Sequence, residues 1–264
     1  MYNIIRSLNF TNRRNMAILL TIISMIALPL LIPMLVLNVP FKDITGGAYF
    51  TNLCGELFTI WIFPIMIISC IAASADAGDK TIYYEIMAGH SRSRIFFARI
   101  INALVWGVLL SAVTYYLPLV YYGLINGWPV EGIKISDIIL RCLLSLLPMF
   151  RIAAFCIMVS VVFRSAGKGI GFSYLFIEVE VLIIEITSEF IKKLDKTYLS
   201  GLYNVMDLLT LDNSRNFVIN GEKVDVYETA VSGKYALMTI AISLIIGGIY
   251  LTAAYLDFTK RDRN

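Results

Sequence analysis

Apolar residues fill this chain in six long blocks separated by short polar intervals. The blocks show neither the strict alternation of a half-buried strand nor the single stripe of a soluble helix. They cover residues 16–39, 57–75, 100–125, 138–163, 169–191 and 235–255. Each is close to the ~20 residues that carry a helix across a hydrocarbon core. Backbone groups in lipid must be satisfied within the segment, and continuous apolar runs achieve this as helices rather than as barrel strands. The pattern therefore predicts an all-α polytopic membrane protein with six transmembrane helices. The first block is too long for a signal-peptide core and lacks a small-residue cleavage site, so it is expected to remain as a span.

Composition agrees with this reading. The chain has 264 residues, of which 58% are hydrophobic and only 16% charged, where a soluble domain carries about 25% charged residues. Mean hydropathy is +0.76. A single domain, 1–264, is expected, because the apolar blocks leave no room for a second folded unit. The net charge of +3 is small and spread along the chain, which gives no support to a nucleic-acid partner.

The cationic residues between blocks set the orientation. One side collects twelve Lys and Arg: Arg6, Arg13 and Arg14, then Lys80, Arg92, Arg94 and Arg99, then Arg164 and Lys168, then Lys260, Arg261 and Arg263. The other collects eight, and six of those lie in a long loop that also holds six acids. Both termini and the 76–99 connection are therefore expected on the cytoplasmic side.

That connection is the most polar stretch of the first half. Ile82, Tyr83, Ile86 and Met87 recur at helical spacing, while Asp79, Lys80 and Glu85 fall elsewhere on the wheel. Gly89 suits the residue just past a helix end, and Ser91 suits the cap of the next helix. A short amphipathic helix, a turn and the inner mouth of the third span are predicted, with Arg92, Arg94 and Arg99 reaching headgroups or a partner.

The segment "DAGDKTIYYEIMAGHSRSRIFFAR" resembles the loop between the second and third spans of ABC-2-type transporter permeases. The N-terminal "MYNIIRSLNFTNRRN" is similar to the amphipathic lead-in helix of that family, with Ile4, Ile5 and Leu8 on one face and Arg6, Arg13 and Arg14 placed to meet anionic lipid. The likeness covers nearly the whole chain as topology and loose pattern. It implies a bacterial plasma-membrane exporter subunit that pairs with a second permease, identical or not. Two cytoplasmic ATPase subunits would press on a coupling helix built from Asp79, Lys80, Ile82, Tyr83, Glu85, Ile86 and Met87, with Arg92 and Arg94 beside it. It further implies that ATP and Mg bind the partner and no cofactor binds this chain, and that an amphipathic or hydrophobic cargo, a peptide above all, leaves the cell. In keeping with a separate motor, the chain contains no G-x-x-x-x-G-K-[ST] phosphate cradle. "GKGIG", residues 167–171, has the wrong spacing and reads as close helix packing with Lys168 toward the headgroups.

A competing reading starts from "AGHSRSR", Ala88 to Arg94, which resembles the phosphate-binding loop of undecaprenyl-pyrophosphate phosphatases. There a Ser would act as nucleophile or donor and an Arg as clamp. The stretch has Ala88 where that family has Pro, and His90 is the only His in the chain. Metal chemistry finds no footing either. Cys54, Cys70, Cys142 and Cys156 lack paired ligand spacing, and one His cannot make a zinc helix.

Charges inside the blocks are the next signal. The fifth block carries Glu178, Glu180 and Glu185, and the fourth carries Arg151 near its middle and Arg141 nearer the outside. A charge at the bilayer centre costs at least about 2.5 kcal/mol, so each needs a partner or water. Counting from a turn around 165–167, Arg151 lies as deep as Glu180, which predicts that the two pair, with Glu178 as second choice, either within one subunit or across a subunit contact. Glu178 and Glu185 are seven apart and share a face, suited to lining a polar pathway or to structural pairing.

The outer loop, 192–234, is too long to be a mere connection. Leu199, Leu202, Tyr203, Met206 and Leu209 predict a short helix lying flat or dipping back into the outer leaflet. Asn220-Gly221 between apolar residues predicts a two-residue hairpin. Together they would form an extracellular cap.

Overall fold

The computed structural model describes residues 2–36, 44–50, 55–74, 85–128, 134–190, 196–209, 216–219, 222–225 and 230–260. Helix dominates them, as expected of apolar runs whose backbone polar groups must be satisfied internally. In chain order the helices are α1 (Tyr2–Arg14), α2 (Met16–Val36), α3 (Gly46–Tyr49), α4 (Gly55–Ser74), α5 (Arg92–Asn126), α6 (Ile135–Phe163), α7 (Ala166–Phe190), α8 (Lys196–Leu199), α9 (Gly201–Leu209) and α10 (Gly233–Lys260). Within α5, Val105–Leu110 widens into π-helical turns.

Among the described residues, α5, α6 and α10 are long and apolar enough to cross a membrane. The chain is thus a helical membrane protein by the length and composition of its helices. Shorter apolar stretches, Met16–Ala27 and Ile62–Ser74, lie in α2 and α4. α7 has the length but carries four glutamates, Glu178, Glu180, Glu185 and Glu189, along its second half.

Helix ends differ from the predicted block ends where polar residues continue a helix beyond lipid. α5 starts at Arg92 rather than 100, and α10 runs to Lys260 rather than 255. At 1.5 Å per residue the 35 residues of α5 extend about 52 Å, well beyond the ~30 Å of a hydrocarbon core. The tight turn between α6 and α7 falls at Arg164–Ser165, with Arg164 in the left-handed region. Gly167 therefore belongs to α7, one step beyond where the turn was expected. Of the three glycines in 167–171 only Gly169 packs closely, against Ser160 of α6.

α6 is the axis of the bundle. Met149, Arg151, Ile152, Ala153, Ala154, Cys156 and Ile157 are all buried on it, so it is enclosed on several sides. α4, α7, α9 and α10 pack around it. α10 faces α6 with small residues, Thr239, Ser243 and Gly247 at four-residue intervals, which let two backbones approach. Phe150 lies at Gly247 and Phe155 at Tyr250, so α6 and α10 run in the same direction.

The lead-in helix corrects one expectation. Ile4 and Leu8 of α1 are buried against Ile95 and Ala98 of α5, with Ile5 and Ile86 alongside. The face expected to lie on lipid is thus covered by protein, while Arg6, Arg13 and Arg14 remain exposed. Trp106 of α5 donates its indole N–H to Asn9 Oδ1 at 3.1 Å, fixing α1 along the helix. Before α10, strands β1 (Asn216–Ile219) and β2 (Glu222–Asp225) pair antiparallel with Ile219 opposite Glu222. That register suits the two-residue Asn-Gly connection read from sequence, although residues 220–221 themselves lie outside the described ones.

The cationic bias predicts a definite sidedness for the α6–α7 hairpin. In a chain whose native cysteines are replaced by alanine, Ser136→Cys should react with a membrane-impermeant maleimide on intact cells. Gly167→Cys should react only after permeabilisation. The reverse pattern would invert the orientation.

Candidate functional site

The segment between α7 and α10 returns into the bundle. Ser200, between α8 and α9, and Gly201, the first residue of α9, sit beside the middle of α6: a Cβ on Gly201 would lie 3.0 Å from Ile152 Cγ1 and 3.6 Å from Arg151 Cδ. From there α9 climbs outward antiparallel to α6, reaching Arg141 at Asp207 and Leu208. The helix forms here for local reasons. Ser200 caps it, its hydroxyl accepting the Leu202 N–H at 3.1 Å. Leu202, Val205, Leu208 and Leu209 then bury one face against α4 and α6.

A non-helical tip at this depth exposes backbone carbonyls that lipid cannot satisfy. Arg151 satisfies them. Its Nη1 donates to the Tyr198 carbonyl at 3.2 Å, and its Nη2 donates to the Leu199 carbonyl and to Glu180 Oε1, the last at 3.3 Å. Ser200 donates to the other Glu180 oxygen at 3.4 Å. The Tyr250 phenol of α10 lies beside the same pair. The Arg151 side chain is 6% exposed and that of Glu180 37%, so the charge is held in a largely dry place, where neutralisation and extra hydrogen bonds offset its desolvation.

Ten residues outward along α6, Arg141 closes the other end of α9. Its Nη1 donates to the Asp207 and Leu208 carbonyls, both at 3.3 Å. These are among the last carbonyls of a helix, which have no partner inside it. Two arginines on one helix thus hold a returning loop at its tip and at its exit.

Glu178 and Glu185 of α7 point elsewhere. Glu185 is exposed and accepts the Tyr203 hydroxyl at 2.7 Å. Glu178 is exposed, with the Tyr174 phenol against it. Glu180 is the one that pairs with Arg151.

The inner-side candidates divide between described and undescribed residues. Asp79, Lys80, Ile82 and Tyr83 lie outside the described residues. Residues 85–87 form a turn of helix that ends in a Schellman-type stop: the His90 N–H donates to the Glu85 carbonyl and the Gly89 N–H to the Ile86 carbonyl. Gly89 has φ +84°, the left-handed conformation that motif requires. Ile86 packs toward Ile95 and Leu8. Glu85 pairs with Arg99 at 3.2 Å.

Three expectations change here. Met87, expected on the apolar face, is 78% exposed. Arg99, expected to reach outward, is buried, because Glu85 neutralises it against α1. Ser91 stands in the capping position with extended backbone but makes no side-chain cap bond. Arg92 and Arg94 are exposed beside Met87. Ser93, in the stretch read as a phosphate loop, is hydrogen-bonded to Tyr255 at 3.0 Å.

Sequence reasoning did not single out Ser200, Tyr198 or Tyr250. Ser-Gly before an apolar run is a helix-start signal that was available for Ser200. The Tyr198 contribution is a carbonyl, which leaves no mark in the side-chain pattern. No family model, no curated protein and no solved structure matches the chain.

Arg151→Ala leaves a carboxylate and two carbonyls without their donor and should destabilise the chain by about 3–5 kcal/mol. It should be read as loss of monodisperse protein in detergent, with Glu180→Gln milder. The swap Arg151→Glu with Glu180→Arg should recover only part of the loss, since the tip carbonyls stay unpaired. Full recovery would show that the ion pair alone matters. Gly89→Ala, forced into a left-handed conformation, should lower stability by about 1 kcal/mol, seen as a lower melting temperature.

Proposed function

We propose that this chain is the membrane permease subunit of an ATP-driven exporter of the ABC-2 type in a bacterial plasma membrane. It works beside a second permease and two cytoplasmic ATPase subunits that bind ATP and Mg. The observation that carries this reading is the construction of the inner bend. Met87, Arg92 and Arg94 form an exposed apolar and basic edge. The turn behind that edge is bonded to α5 through Glu85 and Arg99 and packed on it through Ile86.

A push on such an edge displaces a 35-residue helix as a unit rather than bending a loop. That is the mechanical requirement for passing the motion of a soluble motor into the membrane. α1, wedged on the same segment of α5, stiffens the junction further. The lipid-phosphatase reading gains nothing comparable, because Ser93 is tied to Tyr255 and Ser91 stands exposed at a helix start. The cargo this reading favours is an amphipathic peptide, in keeping with the exposed carboxylate of Glu178 on α7.

The test is co-purification with any P-loop ATPase encoded beside this reading frame, followed by hydrolysis assays in nanodiscs. The triple variant Met87→Glu, Arg92→Glu, Arg94→Glu should lower stimulated hydrolysis about tenfold or more while the chain stays monodisperse. Unchanged hydrolysis, or failure of any ATPase to associate, would remove the coupling role. Release of phosphate from a polyprenyl pyrophosphate by the chain alone would favour the phosphatase instead.

A further inference from the structure

α4 and α7 pack side by side, and on their shared surface the rings of Phe63 and Tyr174 stack with centroids 5.0 Å apart and planes 26° from parallel. Each of the two residues is 39% exposed. One helical turn further along α7, Glu178 places its carboxylate against the Tyr174 phenol and is itself exposed. Among the described residues, no Lys or Arg forms an ion pair with Glu178.

Its depth makes this arrangement costly unless something covers it. Glu178 lies two residues inward of Glu180, about 3 Å along the helix axis. It is therefore close to the level of Arg151, at the middle of a membrane-crossing helix. A carboxylate at that level is strongly disfavoured against lipid and calls for water or a cation.

We infer that Phe63, Tyr174 and Glu178 form a binding site for an organic cation, an ammonium or comparable onium group carried on an apolar body. Aromatic faces attract such groups through their quadrupole, and the carboxylate supplies the opposite charge. Leu175 and Leu182, exposed on α7 near Glu178, offer apolar contact for the body. A metal ion fits poorly, because hard cations need several oxygen ligands and Glu178 supplies one carboxylate. A second copy of this chain does not supply the charge at this depth, since its intramembrane cations Arg141 and Arg151 are both engaged in holding α9. The site gives the proposed permease a cargo class, cationic amphiphiles. It rests on that reading for its purpose, though not for its geometry.

The experiment uses the full chain in nanodiscs without any ATPase, so that its failure is separate from failure of the motor association. The probe is tetraphenylphosphonium, with tetraphenylborate as a control of the same shape and opposite charge, each followed by equilibrium dialysis. Saturable phosphonium binding is expected, weakened about tenfold or more in Glu178→Gln and in Tyr174→Ala and retained in Glu178→Asp. Size-exclusion profiles confirm that the variants remain folded, as expected for changes at an exposed surface. Absence of saturable binding by the unaltered chain, or equal affinity in Glu178→Gln, overturns the site. Equal binding of the borate also overturns it, by showing apolar adsorption alone.

Discussion

The outer half of this protein depends on one guanidinium placed halfway along α6. A loop that turns back into a membrane protein brings carbonyl groups to a depth where neither water nor lipid can bond them. Arg151 offers several donors in a fixed plane, and the structure uses them on two carbonyls and one carboxylate. Glu180 cancels the charge that this solution brings into the bundle. With the tip held, α9 can occupy the space beside α4 and α6 and bury Leu202, Val205 and Leu209 there. Lysine would not replace the arginine, because a point charge on a flexible stem lacks that planar spread of donors.

The inner half uses the same chemistry for a different purpose. Arg99 and Glu85 also form a largely buried pair, yet they join a surface turn to the start of a long helix instead of securing a returning one. The apolar face of α1 completes the joint, which is why that helix lies on protein and not on lipid alone. Between the two ends, α7 sends its glutamates in different directions. Glu180 faces α6 and is consumed by structure, Glu185 accepts the Tyr203 hydroxyl, and Glu178 is exposed beside Tyr174.

Much of this was legible because helices have a fixed rise. Arg151 and Glu180 sit at nearly equal counts from a short turn, so their depths had to match, and their pairing could be expected before any coordinates. Gly89 was legible because its preferred backbone conformation favours a particular helix stop. Met87, Arg99 and Ser91 were read less well. A wheel says which residues share a face, but it does not say which neighbour covers it, and here α1 and Glu85 took positions assigned to lipid and solvent.

Membrane character, helical class and the relative depth of Arg151 and Glu180 follow from the sequence by itself, since all depend on local hydropathy and on 1.5 Å per residue. The return of α8 and α9 to the middle of α6, the use of Arg141 and Arg151 as donors to carbonyls, and the separation of Glu178 from any Lys or Arg among the described residues were decided only in the tertiary structure. The physical reason is that backbone acceptors carry no sequence identity. Where a carbonyl needs a donor, and which side chain is left over once it is satisfied, depends on how separate segments meet.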